Sequence, residues 1–381
     1  MGESGFGRVG VFGMGLVGGS IARGLRDRGL VSELHAYDPD PGALEAATAL
    51  GAADVAHATI GPWVAELDWG VLAAPVRVLE GLAAAIAPFA RPGSRWLDVG
   101  SVKGPVVRAL GPLLPNFVGT HPMAGRETPG VQHADPALLQ SAVWCVTPTA
   151  STDVRGQPAF GVRGEPTPGL REEVDTVNIV SSFIEALGAH PFLIDPDVHD
   201  RLVARISHVP YFLAVALNLW LARDPERDRL LFLAAGGFRD LTRVASGAPE
   251  MSRDMVLANA PAVREALADL SGVLASLADT LDDPTAFLAQ ATEAKRTRDL
   301  LPIVRRSMLP RVYDVILTIP DRPLALARLT TVLGEANINI RDIEILKVRD
   351  TGGEAIRVGV GSADDQTRAR EVLAASGYRV R

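Results

Sequence analysis

Cysteine is almost absent from this 381-residue chain, which has only Cys145. One thiol permits no disulfide within the chain and excludes a zinc site built on cysteine pairs. Its setting, the apolar run Val143-Trp144-Cys145-Val146, reads as a buried structural thiol rather than a nucleophile. No stretch reaches the roughly 18 consecutive apolar residues that a bilayer-spanning helix needs, so no membrane partner is expected. A formal net charge of −7, with no polybasic footprint, argues against nucleic acid as a partner. The first strand-like run starts within ten residues of Met1, too early for a secretion signal, and a cytoplasmic protein is the expectation. No metal site is expected. The chain is rich in core-forming material, with 47% hydrophobic and 22% charged residues, and its length suits two or three domains.

The chain is organised around residues 10–20. A short apolar run, Val9-Gly10-Val11-Phe12, has the length of a buried parallel strand. Gly13, Gly15 and Gly18 follow, and then Val17, Ile21, Gly24 and Leu25 repeat at helical spacing. Strand, glycine turn and helix in this order form a dinucleotide-binding unit. Gly13 allows the sharp turn, Gly15 lets a pyrophosphate reach the backbone, and Gly18 lets helix and strand pack closely. The N–H groups of Met14, Leu16, Val17 and their neighbours then face the phosphates at the positive end of the helix dipole. Asp38 ends the next apolar run, about twenty residues past the last glycine. Its carboxylate accepts from a ribose 2′-hydroxyl and repels a 2′-phosphate, which favours NAD over NADP.

Strand-like and helix-like stretches alternate up to about residue 148: a helix over 42–50, strands over 54–56 and 69–73, a helix over 76–89, and strands over 95–99 and 117–120. This alternation predicts a Rossmann-type, doubly wound parallel sheet. Three tight-turn or polar clusters follow strand ends: Ala74-Pro75, Gly100-Ser101-Val102-Lys103 and His121-Pro122-Met123-Ala124-Gly125. Ligands of open α/β sheets bind outside that edge, so Ala74, Pro75, Ser101 and His121 are expected beside the cofactor. Residues 150–169 break the rhythm with prolines and glycines and read as a loop closing a first domain over 7–169. From 170 the pattern is almost wholly helical, with one short strand over 191–194, giving a second domain over 170–304. Residues 211–221 are apolar nearly all round, which requires burial on every side and suggests a dimer core. Residues 295–311 read as a solvated linker. The last stretch, 312–381, has the order βαββαβ of a ferredoxin-like module.

These residues carry a resemblance to a known family. The stretches GMGLVGGS (13–20), LAAPV (72–76), DVGSVK (98–103), VGTHPMAGRETPGV (118–131), ISHVP (206–210) and GGFRDLTRVA (236–245) resemble the prephenate dehydrogenase family. DRPLALARLTTVLGEANINIRDIEI (321–345) resembles the signature of an ACT domain. The resemblance covers nearly the whole chain apart from the 150–169 loop. It implies oxidation of prephenate by NAD, with loss of carbon dioxide to give 4-hydroxyphenylpyruvate on the route to tyrosine. Hydride leaves C4, the C4 hydroxyl gives up a proton, and aromatisation drives the reaction. A neutral imidazole suits the proton, and the resemblance assigns it to His121.

Ser101 resembles the family's serine that bonds this histidine or the hydroxyl; as a plain structural residue it caps the helix before Pro105. Lys103 is either structural or close to the phosphates. Arg243 matches the substrate-binding arginine, whose planar fork fits a carboxylate. Arg239, four residues earlier, either assists it or pairs with Asp240 at the surface. Arg126 adds positive charge near the ring carboxylate. Ser207 and His208 match the family's Ser-His pair beside the substrate. Some relatives carry a second histidine three residues after the first, and this chain has Tyr211, which donates a hydrogen bond but accepts no proton at pH 7. The ACT resemblance implies pairing of copies and tyrosine as a feedback ligand. Against that, Leu324 replaces the glycine usual after Asp-x-Pro, and its side chain either fills the pocket or meets an apolar ligand. Arogenate, which has an amine in place of the keto group, is the alternative substrate. β-Hydroxyacid dehydrogenases, which share the glycine turn, need a helical-domain lysine, and residues 172–259 contain none. A non-catalytic NAD sensor leaves His121, Ser101 and Arg243 without a purpose.

Overall fold

The apolar run Val9-Gly10-Val11-Phe12, too short for a helix, forms a strand paired on both sides within the first sheet. The computed structural model describes residues 5–125, 128, 130–148, 168–300, 313–320, 322–346 and 354–380. They fall into two compact units, 1–288 and 289–381.

The first unit begins with β1 (Arg8–Phe12), α1 (Leu16–Asp27), β2 (Glu33–Tyr37), α2 (Pro41–Ala49), β3 (Val55–His57), β4 (Trp69–Leu72), α3 (Val76–Ile86), β5 (Arg95–Asp98), α4 (Gly104–Leu110) and β6 (Phe117–Pro122). β7 (Val143–Thr147), α5 (Pro168–Ala186) and β8 (His190–Leu193) complete the sheet, whose strand order is β3-β2-β1-β4-β5-β6-β7-β8. Strands β1 to β6 pair in parallel, as the helical crossovers between them require. The wholly parallel sheet expected from sequence needs one correction: β7 runs antiparallel to β6, with His121 opposite Cys145. No α-helix joins those two strands, only a 3₁₀ turn at Val131–His133 among the described residues, and an antiparallel return needs no crossover. Two apolar layers sandwich the sheet, one of Ile21, Leu25, Val180 and Phe183, the other of Leu79, Ile86, Val107 and Leu110. Cys145 is buried in β7, as its apolar flanks suggest.

The remainder of this unit is helical: α6 (Pro196–Val203), a π-turn (Ala204–His208), α7 (Val209–Ala222), α8 (Arg227–Leu233), α9 (Gly236–Thr242), a 3₁₀ turn (Arg243–Ser246), α10 (Pro249–Ala258) and α11 (Ala260–Ala278). α12 (Pro284–Leu300) runs across the boundary between the units, so 295–300, read as linker, are helix. The rest of that linker and most of the 150–169 loop lie outside the described residues.

Two expectations about 196–222 change. No stretch was expected to reach the length and apolarity of a membrane span, but Pro210 sits in the first turn of α7, where proline is tolerated. The helix therefore continues through the π-turn, and Pro196–Ala222 is long and apolar enough to cross a membrane by length and composition. Burial on every side is also not met within one chain. In α7 only Val209 and Ala214 are buried, and Trp220 is 73% exposed.

The second unit contains β9 (Tyr313–Ile319), α13 (Ala325–Glu335), β10 (Ile340–Leu346), β11 (Glu354–Val360), α14 (Ala363–Ala375) and β12 (Arg379–Val380). Its sheet has the order β10-β11-β9-β12 and is antiparallel throughout, which is the ferredoxin-like βαββαβ arrangement. Alternate residues Val315, Leu317 and Ile319 of β9 face Leu329, Leu333 and Leu373 in its core. Leu324 precedes α13 at φ 68°, the left-handed region that favours glycine. It is largely exposed and lines a cavity of about 650 Å³ together with Arg322, Arg328 and Tyr378. Asp321 and the Gly352-Gly353 turn lie outside the described residues.

Candidate active site

β1 ends in the glycine turn. Gly13 has φ +110°, and a Cβ there would stand 2.6 Å from the Ala73 carbonyl oxygen, so neither backbone nor space admits a side chain. At Gly18 a Cβ would lie 2.0 Å from the Gly13 oxygen, which fixes how closely α1 passes over β1. Gly15 differs: nothing lies within 4 Å of a Cβ built there. α1 starts at this open spot with no acidic residue in its first turn and no side-chain cap. Its leading N–H groups are therefore presented to an anion.

Met14 and Leu16 are buried beneath the turn, whereas Val17 is half-buried. Asp38 stands at the end of β2, where Oδ2 accepts from Met14 N–H at 2.7 Å and Oδ1 from Asp40 N–H at 2.9 Å. Each oxygen keeps a second lone pair for a ribose hydroxyl. Ala74 and Pro75 follow β4 and lead into α3, next to the Gly13 contact with Ala73. The open ground at Gly15, the uncapped helix and the acid at Asp38 fit a dinucleotide.

Two strands along, a buried ion pair fixes the neighbouring strand ends. Asp98 closes β5 and accepts from Gly100 N–H (2.8 Å), Thr120 N–H (3.1 Å) and the Lys103 ammonium. Lys103 also donates to the Thr120 carbonyl at 2.6 Å. Both side chains are fully buried. Burial pushes the Asp98 carboxyl up and the Lys103 ammonium down, and their mutual attraction opposes both shifts. Lys103 is thus structural: it ties the β5–α4 bend, which carries half-buried Ser101, to the strand that carries His121. Ser101 does not cap α4. That cap comes from Asp200 of α6, whose Oδ1 accepts from Lys103 N–H at 2.7 Å and Oδ2 from Gly104 N–H at 2.8 Å.

His121 lies near the end of β6, half-buried, with Nδ1 2.9 Å from His199 Nε2. His199 Nδ1 lies 2.8 Å from Asp200 Oδ1. A carboxylate only accepts, so a neutral His199 carries its proton on Nδ1 and offers the Nε2 lone pair. His121 must then donate from Nδ1, which leaves its own Nε2 as a lone pair. Burial, followed by His199, Lys103 and His208, holds the His121 imidazole well below its ordinary pKa and keeps it neutral at pH 7. A neutral ring held in one orientation with a lone pair on Nε2 is the state in which an imidazole can take up a proton.

His208, in the π-turn, is buried too, and Asn259 fixes its orientation. The amide nitrogen of Asn259 donates to the Asp200 carbonyl at 2.8 Å, so the same nitrogen, 3.2 Å from His208 Nδ1, donates there as well. His208 Nε2 is left as the N–H. The structure therefore joins His121 to His208 through His199, Asp200 and Asn259, three residues the sequence reading missed. Asp195-Pro196 signals a helix start, and that signal says nothing of which strand the residues after it meet.

The other candidates lie elsewhere. The π-turn exposes Ser207 while burying its neighbour His208. Tyr211 is half-buried three residues beyond His208. Arg239 on α9 and Arg243 on the following 3₁₀ turn are exposed, on segments that pack against α7. Arg126 lies outside the described residues. No group of three or more His, Cys, Asp or Glu able to hold a metal occurs among the described residues.

A dinucleotide turn at one strand end and an oriented, neutral imidazole at another fit an NAD-dependent dehydrogenase with a helical second half. Residues 21–156 match the model of the prephenate dehydrogenase nucleotide-binding domain, 195–286 that of the prephenate dehydrogenase dimerization domain, and 313–377 that of the ACT domain. The chain belongs to the prephenate dehydrogenase family. It is 28% identical to prephenate dehydrogenase of Bacillus subtilis over 376 residues, covering 95% of this chain and 94% of the relative. Among solved structures it resembles prephenate dehydrogenase from A. aeolicus in complex with hydroxyphenyl propionate and NAD+ (TM-score 0.68, 28% identity, 77% of this chain and 97% of that one). It also resembles Synechocystis arogenate dehydrogenase (TM-score 0.63, 26% identity, 77% of this chain and 99% of that one).

Proposed function

We propose that this enzyme converts prephenate to 4-hydroxyphenylpyruvate, with His121 Nε2 taking the proton of the C4 hydroxyl. The observation that carries the reading is the commitment of His121 Nδ1 to His199, which leaves Nε2 as the basic atom. NAD, when bound, supplies the hydride acceptor. Gly13, Met14, Gly15, Leu16, Val17, Gly18, Asp38, Ala74, Pro75 and Ser101 hold it, and Ser101 also hydrogen-bonds His121 or the C4 hydroxyl. His208 donates from Nε2 to the substrate's oxygens, supported by Ser207. Arg243, with Arg239 and Arg126, attracts the two carboxylates.

In this reading 7–169 binds the nucleotide, 170–304 binds substrate and pairs two copies, and 312–381 regulates. Tyrosine is the ligand we assign to the cavity beside Leu324, where Arg322 and Arg328 offer positive charge. Replacing His121 with Asn is expected to lower turnover at least about 10³-fold while NAD affinity stays within about twofold, as loss of a general base alone predicts. A fully active variant sinks the assignment. The similarity to an arogenate dehydrogenase makes arogenate the comparison substrate, and the ratio of kcat/KM for the two substrates decides the specificity.

A further inference from the structure

We infer that Asp254 and Arg77 are positioning residues, which hold the helical segment that follows Arg243 against the helix that follows the cofactor loop. The inference rests on the reading of Arg243 as a group for the substrate's carboxylates and of Ala74 and Pro75 as cofactor residues. Asp254 lies on α10 and Arg77 in the first turn of α3, and the two helices pack together. Asp254 Oδ2 stands 2.8 Å from Arg77 Nε. Its Oδ1 accepts from Arg253 Nε at 2.8 Å and from Arg253 Nη2 at 2.6 Å. Each carboxylate oxygen thus serves a different guanidinium, one on its own helix and one across the junction.

Three carboxylates are buried among the described residues: Asp98, Asp200 and Asp254. Taking a carboxylate out of water costs free energy that only well-placed partners offset. Asp98 joins the ends of β5 and β6, and Asp200 caps α4. Asp254 is the third, and its partner on α3 belongs to the nucleotide-binding half.

The helices α3 and α4 are alike at their starts. Each begins just past a strand end on the cofactor edge, and neither has a side-chain cap or a first-turn acid of its own. Each is met instead by an aspartate from the helical half, α4 by Asp200 and α3 by Asp254. The two contacts differ in kind. Asp200 holds backbone amides, and that tie cannot open without leaving them unpaired. The Arg77 side chain is 62% exposed, so its tie can open while both helices stay intact.

Arg243 lies on the 3₁₀ turn Arg243–Ser246, and α10 starts soon after it at Pro249. A seat for α10 on α3 therefore limits where that turn can stand relative to Pro75. With the tie made, the segment is in place when substrate arrives. With the tie lost, the segment spends part of its time displaced, and substrate binding has to restore it. Apparent affinity then falls with the competent fraction, while turnover of the bound complex is preserved.

Steady-state kinetics of Arg77→Ala, Asp254→Asn and the double variant test this, with NAD affinity measured separately by fluorescence titration. Each single substitution is expected to raise KM for prephenate about tenfold, with kcat and NAD affinity within about twofold. The double variant is expected to match Asp254→Asn, because residues acting through one contact do not add. Arg77→Lys keeps the charge and is expected to recover most of the affinity. A purely structural role lowers kcat through fewer folded molecules and leaves KM unmoved, and that pattern overturns the inference. Losses that multiply in the double variant overturn it too. Arg77 is exposed, so its two variants carry the test should Asp254→Asn fail to fold. An unaltered enzyme that does not turn over prephenate removes the reading beneath, whereas normal turnover with an unmoved KM in Arg77→Ala removes the tie alone.

Discussion

Asn259 decides what His208 can do. Its amide is anchored on the Asp200 carbonyl, so His208 can only accept at Nδ1 and stays neutral. Burial lowers its pKa to about 4; Asp200 opposes the shift and His199 adds to it. The unfolded chain takes up that proton near 6.5, so the folded state is fully favoured above that value and loses stability as the pH falls towards 4. His121 acts in the same direction. Urea unfolding is therefore expected to give a stability at pH 5 lower than at pH 7 by roughly 2 kcal/mol from His208 alone. His208→Gln should remove that part of the dependence, and an equally steep dependence in the variant counts against it. The place of His121 at a strand end was legible because an apolar run leads straight into it. His199, Asp200 and Asn259 were not, because their role depends on contacts made only after folding: His199 meets His121 from 78 positions away. The capping role expected of Ser101 went to Asp200 for the same reason, since a sequence shows which residues can cap but not which arrives.

Among elements, the turn between β1 and α1 was the most legible, because local sterics alone determine it. The three glycines have distinct duties, which separates stability from binding. Gly15→Ala adds a methyl group in open space. The variant is expected to fold with a loss below about 1 kcal/mol but to bind NAD at least about tenfold more weakly, because that methyl occupies the phosphates' approach. Gly18→Ala drives a methyl into the Gly13 carbonyl, and a loss of several kcal/mol is expected, as for other forced overpacking. Thermal unfolding together with NAD titration checks both; equal effects from the two substitutions would contradict the division. The direction of β7 was not legible, since apolar runs carry no sign of strand polarity. The π-turn was equally hidden: it exposes Ser207 and buries His208 by one extra residue in a helical turn.

Across the whole molecule, the βαββαβ order and the alternating first half were readable because each element has a strong local period. The fate of the apolar helix α7 was not, because its burial depends on what lies outside the chain. Trp220, Leu219 and Phe212 are exposed on it, and Phe232 and Leu233 on α8. A pairing of two copies over these side chains, in keeping with the dimerization domain matched at 195–286, gives them a use. Trp220→Glu is expected to weaken self-association at least about tenfold, the usual cost of losing a buried aromatic anchor. Sedimentation velocity across a dilution series measures it, and an undisturbed dimer rules that face out.

Cys145, the lone sulfhydryl, lies within β7, and burial makes its thiolate scarce at neutral pH. Maleimide reagents therefore have little to attack in the native protein. A cysteine engineered onto any exposed helix would take up a fluorophore almost alone, with no background substitution required. The wild-type chain is thus already a scaffold for single-site labelling.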